Sequence, residues 1–510
     1  MLVRIIRDLG LGLAAGLASL VLLEVTLSLF GIAQPIEEEE LSRGFDHSAA
    51  YFTPVEDQPG TWQTQFWAAD EGRPVVIPPK DGRKRVLMFG GSNTEGFGLR
   101  FINEALRDAD QLENFEVINL GRHGYGSERV SIIFDQALEN LAPDIVVIYT
   151  GHNEFVEAGF QKDLEVKWPS ESTRLAAKAA QGLHTFQALR DAVMPAPQLS
   201  TPMHSSAPTD WQWEYDKFKD TTYPETLQRF AAYQANLERM VEASEARGVG
   251  VVLCTVIYNR FSIPYLSTPP PELGAQARDT VAALMAEARD LLPAALEPLF
   301  PREDSGRLLN TDWEANTREA LASGTKRAAT REELHGWRDF EGVLADTDPL
   351  LPPPAFWNPK VEALLSSLDV LNARAPSPDQ RQTADHILSL IEELLAIEPD
   401  HARALFMRGI LRDWTGADPA LVRADLEDAG AFDRAPLRGT RLTNSIVEEV
   451  AKAHPDVLFF DADRLWCDRH PMQLVGWEWM LDRCHLSLGA RRLLMFDLAT
   501  LILDRWEPAQ

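Results

Sequence analysis

The sequence predicts an α/β fold built on a five-stranded parallel sheet with helices on both faces. Three observations predict it. Five short apolar runs lack the polar alternation of a half-solvated strand, helical stretches separate them, and polar glycine-containing turns close the first three. Strands covered on both faces read as continuous apolar runs, and crossover helices between them make a sheet parallel.

The first run, over 86–89, ends in Gly90, Gly91, Ser92 and Asn93, the pattern of a buried strand meeting a tight turn. The second, over 115–120, leads into a turn from Gly121 to Gly126, and the third, over 144–150, into Gly151, His152, Asn153 and Glu154. A fourth strand is expected over 249–256 and a fifth over 457–461. Helices are expected over 127–141, 224–247 and 444–453, and a closing helix over 488–503 follows Ser487 as its cap. Two insertions interrupt the scheme, over 160–223 and 258–440. The second is too long for a structureless loop, and its helical patterns fall over 273–296, 312–344, 359–373, 382–396, 402–413 and 419–429. Near 382–432 a Pro-Asp before a helix and Gly409 toward its end fit one tetratricopeptide-like hairpin. A generic helical hairpin fits equally, since a solenoid needs about three repeats. A protein partner at this insertion is the corresponding expectation.

At the N-terminus, residues 9–33 are almost wholly apolar, broken by Glu24 and a few Ser and Thr. That length suits the roughly 20 residues that span a bilayer. Arg4 and Arg7 precede the run and Glu37 to Glu40 follow it, which places the N-terminus in the cytoplasm and the rest outside it. The expectation is a single transmembrane anchor over 1–33, with Glu24 facing a partner helix or snorkelling. A cleaved signal peptide ending near Gly31 and Ala33 stays open. Residues 34–84 read as a connector, the α/β part as 85–257 and 441–510.

Composition narrows the partners. Of 510 residues 45% are hydrophobic, enough for a sizeable core, and the formal net charge is -28. Such a field repels phosphate backbones and excludes nucleic acid as a partner. Three cysteines make neither a disulfide framework nor a zinc site. Cys254 reads as a buried small hydrophobe, and Cys467 with Cys484 as either a pair or two free thiols.

In an open parallel sheet, functional groups gather beyond the carboxyl ends of the strands. Ser92, Gly124 and Asn153 occupy three such turns. A hydroxyl nucleophile beside a backbone N–H and a side-chain amide is what acyl transfer needs to hold its oxyanion. The serine requires a base. His485 follows the last strand, and Asp482, three residues earlier, is spaced to orient its imidazole.

The motifs carry a resemblance to a family. The stretch Phe89 to Gly96 resembles the nucleophile block of SGNH/GDSL hydrolases, Ile118 to Gly124 their glycine block, Tyr149 to Glu154 their asparagine block, and Asp482 to His485 their C-terminal Asp-x-x-His block. The resemblance implies a flavodoxin-like three-layer sandwich, with Ser92 as nucleophile, His485 as base and Asp482 as its orienting acid. It implies an oxyanion hole from the Ser92 N–H, the Gly124 N–H and the Asn153 amide, and it implies no cofactor. Gly91 and Asn93 stand where the family has Asp and Leu, and Glu154 where Asp is common. The whole pattern looks like a membrane-anchored bacterial subgroup with a periplasmic catalytic domain. The expected activity is hydrolysis of carboxylic esters, with an acylated glycan as a candidate substrate. Acyl transfer to a glycan by the same triad is the nearest alternative, and an inert membrane-tethered scaffold the other.

Neighbouring residues admit plainer roles. His123 and His152 read as rim residues, and no metal-binding spacing is present. Glu128 and Arg129 either line the pocket or serve their helix, and Trp477 and Trp479 either wall the acyl group or, the plainer role, pack the core.

Overall fold

The computed structural model describes residues 2–29, 45, 50–67, 74–167, 184–185, 218, 221–262, 264, 273–296, 376–469, 473–476, 479–480, 483–486 and 488–506. Two small units of contact divide the chain: Met1–Asp46 with Ala158–Ser205, and His47–Glu157 with Ser206–Gln510.

The larger unit carries eight named strands among its described residues. β1 (Phe52–Pro54), β2 (Trp62–Trp67) and β3 (Pro74–Ile77) form an antiparallel sheet in the order β1-β2-β3. Here the structure differs from the expected connector. The strands are short, and the β2–β3 register shifts between Gln63 and Trp67, so no period-2 pattern marks them in the sequence.

The central sheet contains β4 (Lys84–Gly90), β5 (Phe115–Asn119), β6 (Ile145–Tyr149), β7 (Gly250–Cys254) and β8 (Leu458–Phe460) in the order β5-β4-β6-β7-β8. All four pairings are parallel, with Val86 opposite Ile145, Ile145 opposite Gly250, and Val252 opposite Leu458. Counted within the sheet this is the order 2-1-3-4-5 of flavodoxin-like folds, whose ligand crevice lies where the order reverses, between β4 and β6. The strands of the sequence are all present.

Alternate side chains of each strand enter separate cores. Val86, Met88, Val147 and Val252 pack with Phe101 of the helix Leu99–Asp108 and with Leu494 and Leu498 of the helix Leu488–Trp506. Leu87, Phe89, Ile148 and Leu253 pack with Phe134 of Ser127–Asn140, Leu237 of Tyr223–Glu245 and Val447 of Arg441–Ala453. Each such aliphatic side chain, fully buried, contributes about 2 kcal/mol over leaving it in water. Burial on both faces explains why these strands do not alternate.

The second insertion has a core of its own. The helices Ala275–Leu296, Pro378–Ile397, Ala402–Thr415 and Pro419–Ala431 share Met285, Ile391, Phe406, Ile410 and Leu426. A Cβ on Gly409 would come within 2.9 Å of Leu426, so glycine here lets the last two helices close on each other. One guanidinium helps to tie the insertion to the segment after β8. Arg260, just after β7, bonds Asp463 through Nη1 and Nη2 at 2.9 and 2.6 Å and Glu427 through Nε at 2.7 Å. The helices expected over 312–344 and 359–373, and most of the insertion over 160–223, lie outside the described residues.

In the smaller unit, Leu2–Leu29 is one helix of 28 residues. The Glu24 carboxylate accepts the N–H groups of His184 and Thr185, each at 2.8 Å, and the Thr185 hydroxyl at 2.7 Å. Among the described residues, no helix is long and apolar enough to cross a membrane. Glu24, expected to face a partner helix or to snorkel, has two peptide N–H groups and a hydroxyl as its partners.

Candidate active site

The site begins at the carboxyl end of β4. A Cβ on Gly90 would fall 2.0 Å from the Tyr149 carbonyl of β6, and Thr94 Oγ1 donates to that same carbonyl at 3.1 Å. Only glycine lets the chain turn this tightly into the short helix Ser92–Glu95. Ser92 heads that helix, half-buried, with its hydroxyl toward the loop after β8.

There Ser92 Oγ lies 2.7 Å from His485 Nε2, although 393 positions separate them. That distance is within hydrogen-bond reach of a nucleophile and its general base. With the imidazole proton on Nδ1, the hydroxyl donates to Nε2, the arrangement that a serine and a general base require. Cys484 Sγ lies 3.6 Å from His485 Nδ1. Asp482, the expected orienting acid, lies outside the described residues, as do Ser487 and Trp477.

The structure brings Gly124 and Asn153 to the same place. Gly124 has φ of 71°, and its carbonyl accepts a hydrogen bond from the Arg129 guanidinium. Asn153 Nδ2 donates to the Tyr125 carbonyl at 3.1 Å and sits so close to Gly91 that a Cβ there would fall 2.3 Å from it. The departure from Gly-Asp-Ser at position 91 therefore has a steric cause. The amide of Asn153 occupies the volume that a side chain would need.

Behind this turn lies a polar support that sequence reasoning only partly found. Arg129 and Glu157 are both buried and paired at 2.8 Å. Glu157 also accepts the N–H groups of Gly126 and Glu128, and Glu154 accepts the Ser127 N–H and hydroxyl. Two carboxyl groups thus satisfy the free donors at the start of the helix Ser127–Asn140, beside the Gly124 turn. Burial, with Glu157 alongside, pushes the Glu154 carboxyl up to about 8. Arg129 serves this support, and Glu154 is a capping group rather than a pocket acid.

Asn93 was visible in the sequence only as a departure from the family pattern. It is buried; its Nδ2 donates to the Cys484 carbonyl at 2.8 Å, and its Oδ1 accepts the Leu486 N–H at 3.3 Å. Arg491 Nε donates to the Leu486 carbonyl at 2.8 Å while Nη1 reaches the Gly96 carbonyl at 3.0 Å. The Asn259 N–H donates to the Arg483 carbonyl at 3.1 Å. Asn119 joins the other side, with Nδ2 on the Thr94 carbonyl at 2.6 Å and Oδ1 on the Gly121 N–H at 2.9 Å. Most of these partners are backbone groups far away in sequence, so no spacing announces them.

The two neighbouring histidines differ. His123 is exposed and lies parallel to His485, ring centres 6.5 Å apart, at the rim as expected. His152 is buried, and its Nδ1 accepts the Gly439 N–H at 2.9 Å, so it holds the end of the insertion rather than standing at the rim. Cys254, Cys467 and Cys484 are buried and none is in a disulfide, so Cys467 and Cys484 are two thiols rather than a pair. Burial pushes the Cys467 thiol up to about 12. Among the described residues, no cluster of His, Cys, Asp and Glu is placed to hold a metal ion.

No family model and no curated protein matches the chain. A solved structure from Bacteroides fragilis, described as a candidate acylhydrolase, matches 36% of this chain and 53% of its own at 16% identity, with a TM-score of 0.19. The chain spans about half the length of that structure. A likeness of this extent carries no argument about fold or activity.

Proposed function

We propose that the chain is a serine hydrolase of carboxylic esters that works through an acyl-enzyme. The observation that carries this reading is the 2.7 Å approach of Ser92 Oγ to His485 Nε2 beside the Gly124 turn and the Asn153 amide. In the proposed cycle, His485 takes the proton of Ser92 as its oxygen bonds to the ester carbonyl carbon. The carbonyl oxygen becomes an oxyanion facing the Ser92 N–H, the Gly124 N–H and Asn153 Nδ2. The C–O bond of the ester breaks, and the alcohol leaves with the proton from His485. Water then repeats the sequence on the acyl-serine and restores Ser92. Asp482 is proposed as the group that orients His485, on its place in the sequence.

Hydrolysis of p-nitrophenyl acetate tests the reading. Turnover is expected from the wild-type chain and is expected to fall by at least about 10³-fold in Ser92→Ala. Equal turnover in both would refute it. A small acyl group, such as acetyl on a glycan, is the substrate we propose, and it rests on the expected extracytoplasmic location. The flanking charges Arg4, Arg7 and Glu37 to Glu40 are its support. Acetate release from acetylated glycan is the matching assay; activity confined to long-chain lipid esters would count against it.

A further inference from the structure

We infer that Asn93 is the positioning residue for the base: it fixes His485 against the nucleophile by bonding the peptide groups on both sides of it. The inference rests on the proposed role of His485 and adds a part that the catalytic groups alone do not supply.

The geometry has three elements. Asn93 immediately follows Ser92, so its backbone is set by the same turn that aims the nucleophile. Its amide donates to the carbonyl of the residue before His485 and accepts the N–H of the residue after it, at 2.8 and 3.3 Å. It is only 2% exposed, so neither bond is exchanged readily for one to water. One planar side chain thus makes the position of the base a function of the position of the nucleophile. An apolar residue of similar size, such as the leucine of the Gly-Asp-Ser-Leu pattern, fills the space and offers neither bond.

The loop needs such a clamp. His485 is half-exposed and sits in a segment without regular structure, bounded by an isolated bridge between Met480 and Leu486. Arg491 and Asn259 hold the next carbonyls outward, on Leu486 and Arg483. Arg491 also reaches the Gly96 carbonyl at the end of the nucleophile helix. Asn93 adjoins the nucleophile itself, and it alone of the three acts on both peptide groups adjoining the histidine. A misplacement of about 1 Å at a reacting pair costs on the order of 100-fold in rate, so a clamp of this kind governs turnover without touching substrate.

Cys484 supplies a readout that does not depend on catalysis. Its thiol is buried and in no disulfide, and its own carbonyl is the one that Asn93 holds. Iodoacetamide alkylation of the full chain, mapped by mass spectrometry, is to be compared in wild type, Asn93→Leu and Asn93→Asp. The expected result is at least a tenfold faster alkylation of Cys484 in Asn93→Leu, roughly the effect of easier local opening, with Cys254 and Cys467 unchanged. In the same variant, kcat on p-nitrophenyl acetate is expected to fall by about 10- to 100-fold while KM holds within about twofold. Asn93→Asp keeps the shape and the acceptor but loses the donor, and serves as the deciding variant if Asn93→Leu does not fold. Unchanged Cys484 alkylation in the folded variant overturns the inference, as does faster alkylation spread equally over all three cysteines. If the wild type shows no esterase activity while Cys484 is selectively exposed by the substitution, the clamp stands and the hydrolase reading fails.

Discussion

The two ends of the central sheet are made by the same five strands and have opposite characters. At the amino ends an open groove of about 740 Å³ is lined by Lys84, Asp144, Gly250, His454 and Trp506, among others. Two of its polar groups are engaged on the spot: Asp144 accepts the Arg85 N–H at 2.7 Å and Lys80 at 2.8 Å, and His454 Nδ1 lies 3.1 Å from Glu245. At the carboxyl ends, by contrast, the Ser92 hydroxyl meets His485 Nε2 at 2.7 Å, and the Asn153 amide lies against Gly91 beside it. The comparison teaches that volume shows where a molecule fits, whereas a hydroxyl within reach of an imidazole at the strand ends is what supports the proposed chemistry.

Substitutions at the two ends should therefore separate widely. The largest loss is expected for Arg129→Met, which leaves Glu157 buried and without its guanidinium: about 3–5 kcal/mol of stability, read by urea unfolding. A loss below ~1 kcal/mol would show that the Gly124 turn does not rely on this pair. Next comes Gly91→Ala, whose Cβ would drive Asn153 Nδ2 from its place. Esterase turnover is expected to drop about 10²- to 10³-fold, as for removal of an oxyanion donor, with the same loss in Asn153→Ala; turnover within threefold of wild type would remove Asn153 from the oxyanion site.

A smaller effect concerns pH. The Glu154 carboxyl, pushed up to about 8 by burial and by Glu157, faces Ser127, Tyr233 and Arg229 as well. Folded protein holds this proton above the ordinary carboxyl value of 4.5, where the unfolded chain has lost it. Its contribution to stability is present below that ordinary value and is lost as pH rises through about 8. Tm in wild type should therefore decline more between pH 5 and pH 8 than in Glu154→Gln, and equal declines would contradict the assignment. The smallest effect belongs to the amino-end groove: His454→Ala should cost under ~1 kcal/mol, the ordinary worth of a partly exposed pair, and leave turnover unchanged. Loss of turnover there would erase the contrast between the two ends.

Much of this contrast was legible in the sequence. Strands covered on both faces must be apolar throughout, so β4 to β8 and the turns after them stood out. Ser92, Gly124 and Asn153 then fell at successive strand ends, and His485 after the last. The Asn93 clamp, the Arg491 bridge and the Asn119 tie were not legible, because each joins a side chain to a backbone group brought near only by the fold. The same holds for Arg260, whose partners Glu427 and Asp463 come from the insertion and from the segment after β8. Sheet β1-β2-β3 escaped notice for a different reason: strands of three to six residues with a shifted register leave no period to read. The polar Asn93 in place of an apolar residue was the one available sign of the clamp.

The central claim is that Ser92 is the nucleophile, and covalent trapping tests it most directly. The full chain is treated with a fluorophosphonate probe, digested, and the modified residue identified by mass spectrometry. The account predicts one adduct, on Ser92, that is lost in Ser92→Ala and slowed by at least about 100-fold in His485→Gln. No adduct on the folded wild-type chain, or an adduct that persists in Ser92→Ala, would contradict it.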